Sequence, residues 1–230
     1  MSKHLVLVGG GHAHMTVMLN LADYTKRGHR VTLISPSSYH YYSGMGPGLL
    51  AGIYQPQEVR FHIKKMVEAR GAEFKEGEVE RIDPQNRILY LADGESVGYD
   101  VASFNTGIAV PMKGIISSGD TVIPVKPIAN LYNAALSISR MAAVGHLNII
   151  IVGGGPAGVE ISANVWRLIR NGHAKANISL VAGGKILSGF PERARRLVIK
   201  SLAAKSIYVI EGVRAKSLAN QEAILSDGRT

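Results

Sequence analysis

Two α/β domains, each built on a parallel sheet, are what this sequence predicts, and three observations predict them. Short uninterrupted apolar runs stop at glycine clusters that begin at Gly9 and Gly153. Each cluster opens a stretch whose apolar residues recur at helical spacing. The two segments, "LVLVGGGHAHMTV" (5–17) and "IIIVGGGPAGVEI" (149–161), also repeat one another. A strand that is apolar at every position is buried on both faces, as parallel strands are. A repeat of this kind predicts two similar strand-helix-strand units in one chain.

The bulk numbers agree with folded domains and remove several chemistries. With 46% hydrophobic and 19% charged residues the composition is that of an ordinary globular protein. No cysteine occurs, which excludes disulfides, thiolate metal sites, a redox dithiol and a cysteine nucleophile from these 230 residues. No stretch reaches the roughly 18 apolar residues of a membrane span, and no basic leader precedes the first strand, so a cytoplasmic location is expected. The net charge of +9 raises the question of an anionic partner. Apart from "PERARRLVIK" (191–200) and "HIKKM", the cations are scattered, and neither cluster is interleaved with aromatics, so nucleic acid is not an expected partner. Arg193, Arg195 and Arg196 read as a solvated helix face or as a contact to phosphate or a lipid headgroup.

In order, residues 5–8 form a buried strand, "HMTVMLNLADYTKRGH" a helix closed by Gly28, and "RVTLIS" a second strand. The loop "PSSYHYYSGMGPGLLAGIYQP" and a helix around "VRFHIKKMVEARG" follow. Short strands joined by turns then run to "YDVASF" before Gly107. Pro111 and Gly114 mark the crossing, giving domains at 1–112 and 113–230. The second half has a long helix before "LNIIIV", the glycine turn, a helix, "ANISLVA", a helix at "RARRLVIKSLAA" and the strand "SIYVIEG". "AILSDGRT" is a strand and a turn that normally has a partner strand after it, so the second domain is expected to be truncated at its C-terminus.

The glycine spacing gives these units a ligand. In a Rossmann-like dinucleotide-binding domain the first glycine makes the strand-to-helix turn, the second admits a pyrophosphate, and the third lets helix and strand pack closely. The phosphate faces the unpaired N–H groups of the helix N-terminus. Gly153, Gly155 and Gly158 satisfy all three requirements. Gly9 and Gly11 satisfy the first two, while His14 occupies the third place, where its ring must lie along the helix or push it off the strand. His12 and His14 point different ways on a helix start, which argues against a shared metal. At the end of the second strand, where a carboxylate usually bonds the ribose, stand Ser35 and Ala182. Ser35 can bond a ribose. Ala182 can neither bond it nor repel a 2′-phosphate, Lys185 is a phosphate contact on offer, and NADH versus NADPH stays open.

Taken in order, "GGGHAH", "YYSGMGPGLLAGIY", "YDVASFNTG", "VIPVKP" and "VGGGPAGVE" resemble the two-dinucleotide flavoprotein oxidoreductases of the pyridine nucleotide-disulfide reductase superfamily. They are most similar to the branch related to type II NADH dehydrogenases and to the oxidoreductase joined to selenide water dikinase. The resemblance implies two three-layer domains, with FAD on the first, NAD(P)H on the second, and hydride transfer from nicotinamide to flavin. On it, Gly9, Gly11, His12 and Ala13 hold the FAD pyrophosphate, Ser35 and Pro36 lie by its ribose, and Val79 offers backbone bonds to adenine. Thr106 and Gly107 form a turn beside FAD. Gly153, Gly155, Pro156 and Gly158 form the NAD(P) turn.

Two charged residues carry a catalytic expectation from the same resemblance. Glu160 matches a glutamate near the nicotinamide, and its other reading is a carboxylate placed for the helix dipole. Lys126 stabilises negative charge on reduced flavin, or else is a solvent-facing lysine before a rigid proline. "SGMGPG" replaces the disulfide reductases' redox cysteines with small residues suited to close approach to a flavin ring, or forms a plain turn. Tyr39, Tyr41 and Tyr42 offer stacking or packing. The implied partners are a small-molecule electron acceptor such as a quinone, a peripheral membrane contact and a second copy in a homodimer. The alternatives are a sulfide- or selenium-linked flavoprotein and a non-catalytic nucleotide-binding fragment.

Overall fold

The computed structural model describes residues 1–111, 116–117, 121–219 and 222–230, so the expected boundary at 112/113 and Gly114 fall outside the described residues. Contacts divide the chain into two units: Met1–Tyr42 with Arg60–Ile108, and Ser43–Val59 with Ala109–Thr230.

The first unit starts with β1 (His4–Val8), α1 (His12–Leu19), α2 (Leu21–Lys26), β2 (Arg30–Ser35) and β3 (His40–Tyr41). The intervening segment Ser43–Val59 holds α3 (Gly46–Leu50). The first unit resumes with β4 (Arg60–Phe61), α4 (Ile63–Glu68), β5 (Glu73–Glu76), β6 (Val79–Asp83), β7 (Ile88–Leu91), β8 (Ser96–Gly98) and β9 (Val101–Phe104). The single helix expected after the turn is broken at Asn20, whose side-chain amide donates to the Thr16 carbonyl at 2.8 Å. Asparagine competes with helical backbone bonding in this way. Gly28 closes α2 with a φ of +80°.

The strands run in the order β5-β2-β1-β9, all parallel. Alternation along β1 and β2 fills both faces. Leu7 and Leu33 pack with Met18, Leu21, Ile63 and Val67 of the helices. Val6, Val8 and Ile34 pack with Leu89 and Leu91 of β7. The three layers are therefore helices, parallel sheet, and the antiparallel β6-β7-β8 meander. This double burial explains why β1 reads as continuously apolar.

The second unit adds β10 (Ile116–Ser117), α5 (Ala129–Ala142), β11 (Leu147–Val152), α6 (Pro156–Asn171), β12 (Ala176–Ala182), α7 (Glu192–Ala203), β13 (Ile207–Glu211), β14 (Ala215–Ala219) and β15 (Glu222–Leu225). Its parallel sheet is ordered β11-β12-β13, and β14 lies between β10 and β15 in another. Among the described residues β11 pairs on one side only, with β12, whereas β1 pairs on both. Ile150 and Val152 of β11 are accordingly 42% and 41% exposed. The expectation of a buried strand over residues 5–8 holds, whereas β11 repeats the apolar run without the same burial, because burial of a strand depends on its place in the sheet.

The "SGMGPG" stretch is neither an open turn nor slack backbone. It forms a short 3₁₀ turn and then α3, which packs against α5 and α6. A Cβ on Gly46 would stand 2.9 Å from Leu131 Cδ1, and one on Gly48 would stand 2.6 Å from the Tyr54 ring. These glycines serve helix packing within the second unit, although they are adjacent in sequence to residues of the first.

At the N-terminal end of the first sheet lies a cleft of about 420 Å³ lined by His4, Arg30, Thr32, Glu73, Lys75 and Glu95. Its charges are mutually satisfied. Arg30 forms a two-point bond with Glu73 at 3.0 and 2.7 Å, and Lys75 meets Glu95 at 2.6 Å. His4 Nε2 bonds Thr32 Oγ1 at 2.8 Å. Burial, and then the Arg30 charge, push the His4 imidazole below its ordinary value. A lowered histidine favours the folded state while neutral, so its contribution is lost as pH falls below the usual histidine value of about 6.5. Thermal melts from pH 8 to 5 are expected to show a decline that His4→Gln flattens. An identical decline in the variant would remove His4 as its source.

Candidate functional site

Both glycine turns lie at the C-terminal ends of parallel strands, where open α/β sheets bind ligands. At the second, Gly153 has a φ of +129° and donates its N–H to the Val181 carbonyl at 2.8 Å. Gly155 is the N-cap of α6 with no side chain bonded to the helix start, and Pro156 occupies the first turn. Cβ atoms built on Gly153 and Gly155 meet nothing within 4 Å. The φ of Gly153 already favours glycine there, while the bareness of Gly155 leaves open space above the turn and serves no protein packing. Gly158 differs, because its Cβ would run into the Gly153 carbonyl. The third glycine thus holds α6 against the turn, and Ser162 Oγ donates to the Gly158 carbonyl at 2.7 Å.

This turn borders a cavity of about 380 Å³, lined also by Ala182, Lys185, Ser188 and Phe190. An uncapped helix start facing such a cavity fits a pyrophosphate by donor geometry and dipole. At the neighbouring strand end, Glu211 is committed. It accepts from Arg195 Nη2 at 2.8 and 2.9 Å and from the Ile186 N–H at 2.7 Å. Arg195, and secondarily the Ile186 amide, hold its carboxyl below the usual glutamate value. The arginine cluster is thereby split: Arg195 is structural, while Arg193 and Arg196 are exposed.

In the first turn, Gly9 has a φ of +86° and donates to the Ile34 carbonyl at 2.8 Å. That φ fits the expected turn role of Gly9, but neither Gly9 nor Gly11 opens onto free space. A Cβ on Gly9 would collide with the Asn105 carbonyl, and one on Gly11 would overlap the Asn105 carboxamide. Gly11 donates its N–H to the Asn105 carbonyl at 3.2 Å, and Asn105 donates its own to Val8 at 2.8 Å. Both glycines therefore admit the end of β9 before any ligand. Asn105 is a site residue that sequence reading missed, and its adjacency to Thr106 and Gly107 was the available signal.

His14 is 2% exposed. Its Nδ1 lies 2.6 Å from the Gly9 carbonyl and its Nε2 lies 2.9 Å from Ser103 Oγ. A carbonyl only accepts, so Nδ1 carries the hydrogen. Gly9 corresponds to Gly153, so one carbonyl is met in the first copy by an imidazole and in the second by the bare Cα of Gly158. His12 points elsewhere, its ring 4.6 Å from that of Tyr42. His12 and Ala13 are exposed at the start of α1, which has no side-chain cap.

Around this turn Ser35 is buried at the end of β2 and Pro36 is exposed. Glu76 lies directly across from Ser35 in the sheet register, and its carboxylate accepts from Ser38 Oγ at 3.5 Å. Val79 packs its side chain on the meander-side core, and Thr106 and Gly107 are exposed beyond β9. Tyr39 lies under the Arg60 guanidinium at 4.2 Å and beside His62. In the second unit Glu160 is exposed but lies past the first turn of α6, which contains no acidic residue, so the dipole reading of Glu160 does not hold. Lys126 is half-buried before α5, its carbonyl accepting from Asn130 Nδ2 at 3.2 Å.

Comparison with known proteins agrees with this architecture. An oxidoreductase, ptaL, from Pestalotiopsis fici is 23% identical over 99% of this chain and 60% of its own length. The external alternative NAD(P)H-ubiquinone oxidoreductase B1 of Solanum tuberosum is 22% identical over 95% of this chain and 43% of its own. Among solved structures, NDH2 from Plasmodium falciparum in complex with NADH superposes with a TM-score of 0.77 at 17% identity, covering 98% of this chain and 51% of that one. The sulfide:quinone oxidoreductase of Aquifex aeolicus gives 0.76 at 18% identity, covering 99% and 56%. The chain thus spans about half the length of the relatives it matches. The nucleotides of the family are FAD and NAD(P)H. The profile of that family, pyridine nucleotide-disulphide oxidoreductase, matches residues 3–230. The chain belongs to the pyridine nucleotide-disulphide oxidoreductase family.

Proposed function

We propose that this chain provides the two nucleotide sites of a flavin-dependent NAD(P)H:acceptor oxidoreductase, with a quinone as acceptor. The observation that carries the reading is the duplication: two glycine turns at strand ends, each opening a helix start that no side chain caps. FAD is assigned to the Gly9–Gly11 turn and NAD(P)H to the Gly153–Gly158 turn. Bound flavin supplies two-electron chemistry, accepting hydride from the nicotinamide and passing the electrons to the acceptor. The residues of the chain bind and orient. The N–H groups of His12 and Ala13 face one pyrophosphate, Ser35 and Glu76 stand at its ribose end, and the start of α6 faces the other pyrophosphate. Glu160 and Lys126 are assigned to the nicotinamide and the reduced flavin.

The quinone assignment draws on relatives named for quinone substrates. A lipid-soluble quinone calls for a peripheral membrane contact, and no helix among the described residues is long and apolar enough to cross a membrane. The solved sulfide:quinone relative favours a second reading, in which sulfide reduces the flavin. The absence of cysteine from these 230 residues leaves that reading without a thiol to take up sulfur.

The experiment is to load the chain with FAD, remove the excess, and follow the flavin absorbance during anaerobic additions of NADH, NADPH and sulfide. Bleaching by a nicotinamide nucleotide supports the proposal, bleaching by sulfide alone supports the second reading, and a chain that retains no flavin overturns the first-site assignment. Independently, Gly155→Val is expected to weaken nicotinamide-nucleotide binding at least about tenfold by calorimetry, since its side chain would fill the phosphate space. Unchanged affinity would displace the ligand from this turn.

A further inference from the structure

The two copies differ in charge at the end where a dinucleotide places its adenosine ribose. In the first, Ser35 stands beside Glu76, an arrangement that accepts hydrogen bonds from a ribose diol. In the second, the corresponding strand end is Ala182, whose carbonyl accepts from the Val213 N–H at 3.1 Å. Gly183 and Gly184 follow, and Gly212 donates its N–H to the Gly184 carbonyl at 3.4 Å. These bonds bring Arg214, the residue after Val213, against Gly183. A Cβ built on Gly183 would lie 3.0 Å from Arg214 Cγ and 3.3 Å from Arg214 Nε. The arginine side chain therefore runs along the glycine that lines the cavity, and its backbone is fixed by two hydrogen bonds with Ser226.

Lys185, two residues beyond Gly183, also lines the cavity and is exposed. The carboxylate of this strand-end cluster, Glu211, is turned to Arg195 and the Ile186 amide. Lys185 in the cavity lining and Arg214 against Gly183 thus stand at this strand end, and among the described residues its carboxylate, Glu211, is turned elsewhere. A carboxylate there bonds a 2′-hydroxyl and repels a 2′-phosphate, whereas guanidinium and ammonium groups bind phosphate through charge-assisted hydrogen bonds. We infer that the second site prefers NADPH to NADH, with Arg214 and Lys185 reading the 2′-phosphate. The inference rests on the assignment of a dinucleotide to this turn.

The test uses redox-silent probes on the full chain: ADP-ribose and 2′-phospho-ADP-ribose, titrated by calorimetry at low and at physiological salt. The phosphorylated probe is expected to bind about tenfold or more tightly, equivalent to 1.4 kcal/mol, with the ratio shrinking as salt rises. Arg214→Ala and Lys185→Ala are each expected to reduce that ratio several-fold without altering ADP-ribose binding, and the double variant to bring it near unity. Equal affinities in the unaltered chain would overturn the preference and leave the dinucleotide site standing. A preference that survives the double variant would overturn the assignment to these two residues. Binding of neither probe, or binding that Gly155→Val does not weaken, would instead overturn the site itself.

Discussion

Replacing His14 with alanine is expected to destabilise the first unit by about 2–4 kcal/mol, the sum of a cavity and a buried carbonyl left without its donor. Among the described residues the imidazole is the side-chain partner of the Gly9 carbonyl, and it also joins α1 to β9 through Ser103. The loss should appear as a lower urea midpoint and as faster amide exchange in β1 and β9, with β11 to β13 unaffected. His14→Asn, which keeps a side-chain donor, should recover part of the loss, and Ser103→Ala should cost less than His14→Ala because Gly9 stays bonded. His14→Gly, although it restores the usual motif, is expected to be at least as harmful as alanine. A glycine here leaves the space between turn and helix empty and adds backbone freedom. An unchanged midpoint in His14→Ala would show that the ring does not carry the junction.

The opposite substitution in the second copy is expected to fail for the opposite reason. Gly158→Ala directs a methyl group into the Gly153 carbonyl, so α6 must move off its strand. Overpacking of this kind costs about 1–3 kcal/mol. The same shift withdraws the helix start from the cavity, so nicotinamide-nucleotide affinity should fall together with stability. Gly155→Val separates the two effects, because its side chain enters open space and should weaken binding with little change in the melting midpoint. A Gly158→Ala variant with native stability and native affinity would contradict the close contact between helix and turn.

These two substitutions locate what was legible in the chain. The α/β class, the strand-turn-helix units, the repeat and the placement of Gly9 and Gly153 at strand ends, Gly11 and Gly155 at helix starts and Gly158 in the first turn of α6 are all written in local pattern. Continuous apolar runs and glycine spacing are short-range properties that need no partner to be read. The open space at Gly155 and the close approach at Gly158 match the roles read from the spacing, while the roles of Gly11 and Gly46 were not legible. Gly155 is bare for the space above it, Gly11 for Asn105, Gly46 for Leu131 and Gly158 for the carbonyl of Gly153. The sequence shows the missing Cβ in every case and the neighbour in none.

By itself, then, the sequence determined most of the elements, their duplication and the two glycine turns, because helical and extended periodicities and glycine turns are set within a few residues. Tertiary structure decided what distance along the chain conceals. It brought Asn105 to Gly9 and Gly11, Glu76 to Ser35 and Arg214 to Gly183. It grouped Ser43–Val59 with the second unit and, among the described residues, left β11 at a sheet edge while β1 lies inside one. The three contacts join residues 31 to 96 positions apart in the sequence, fixed by strand order and by which side chains fill the space between layers.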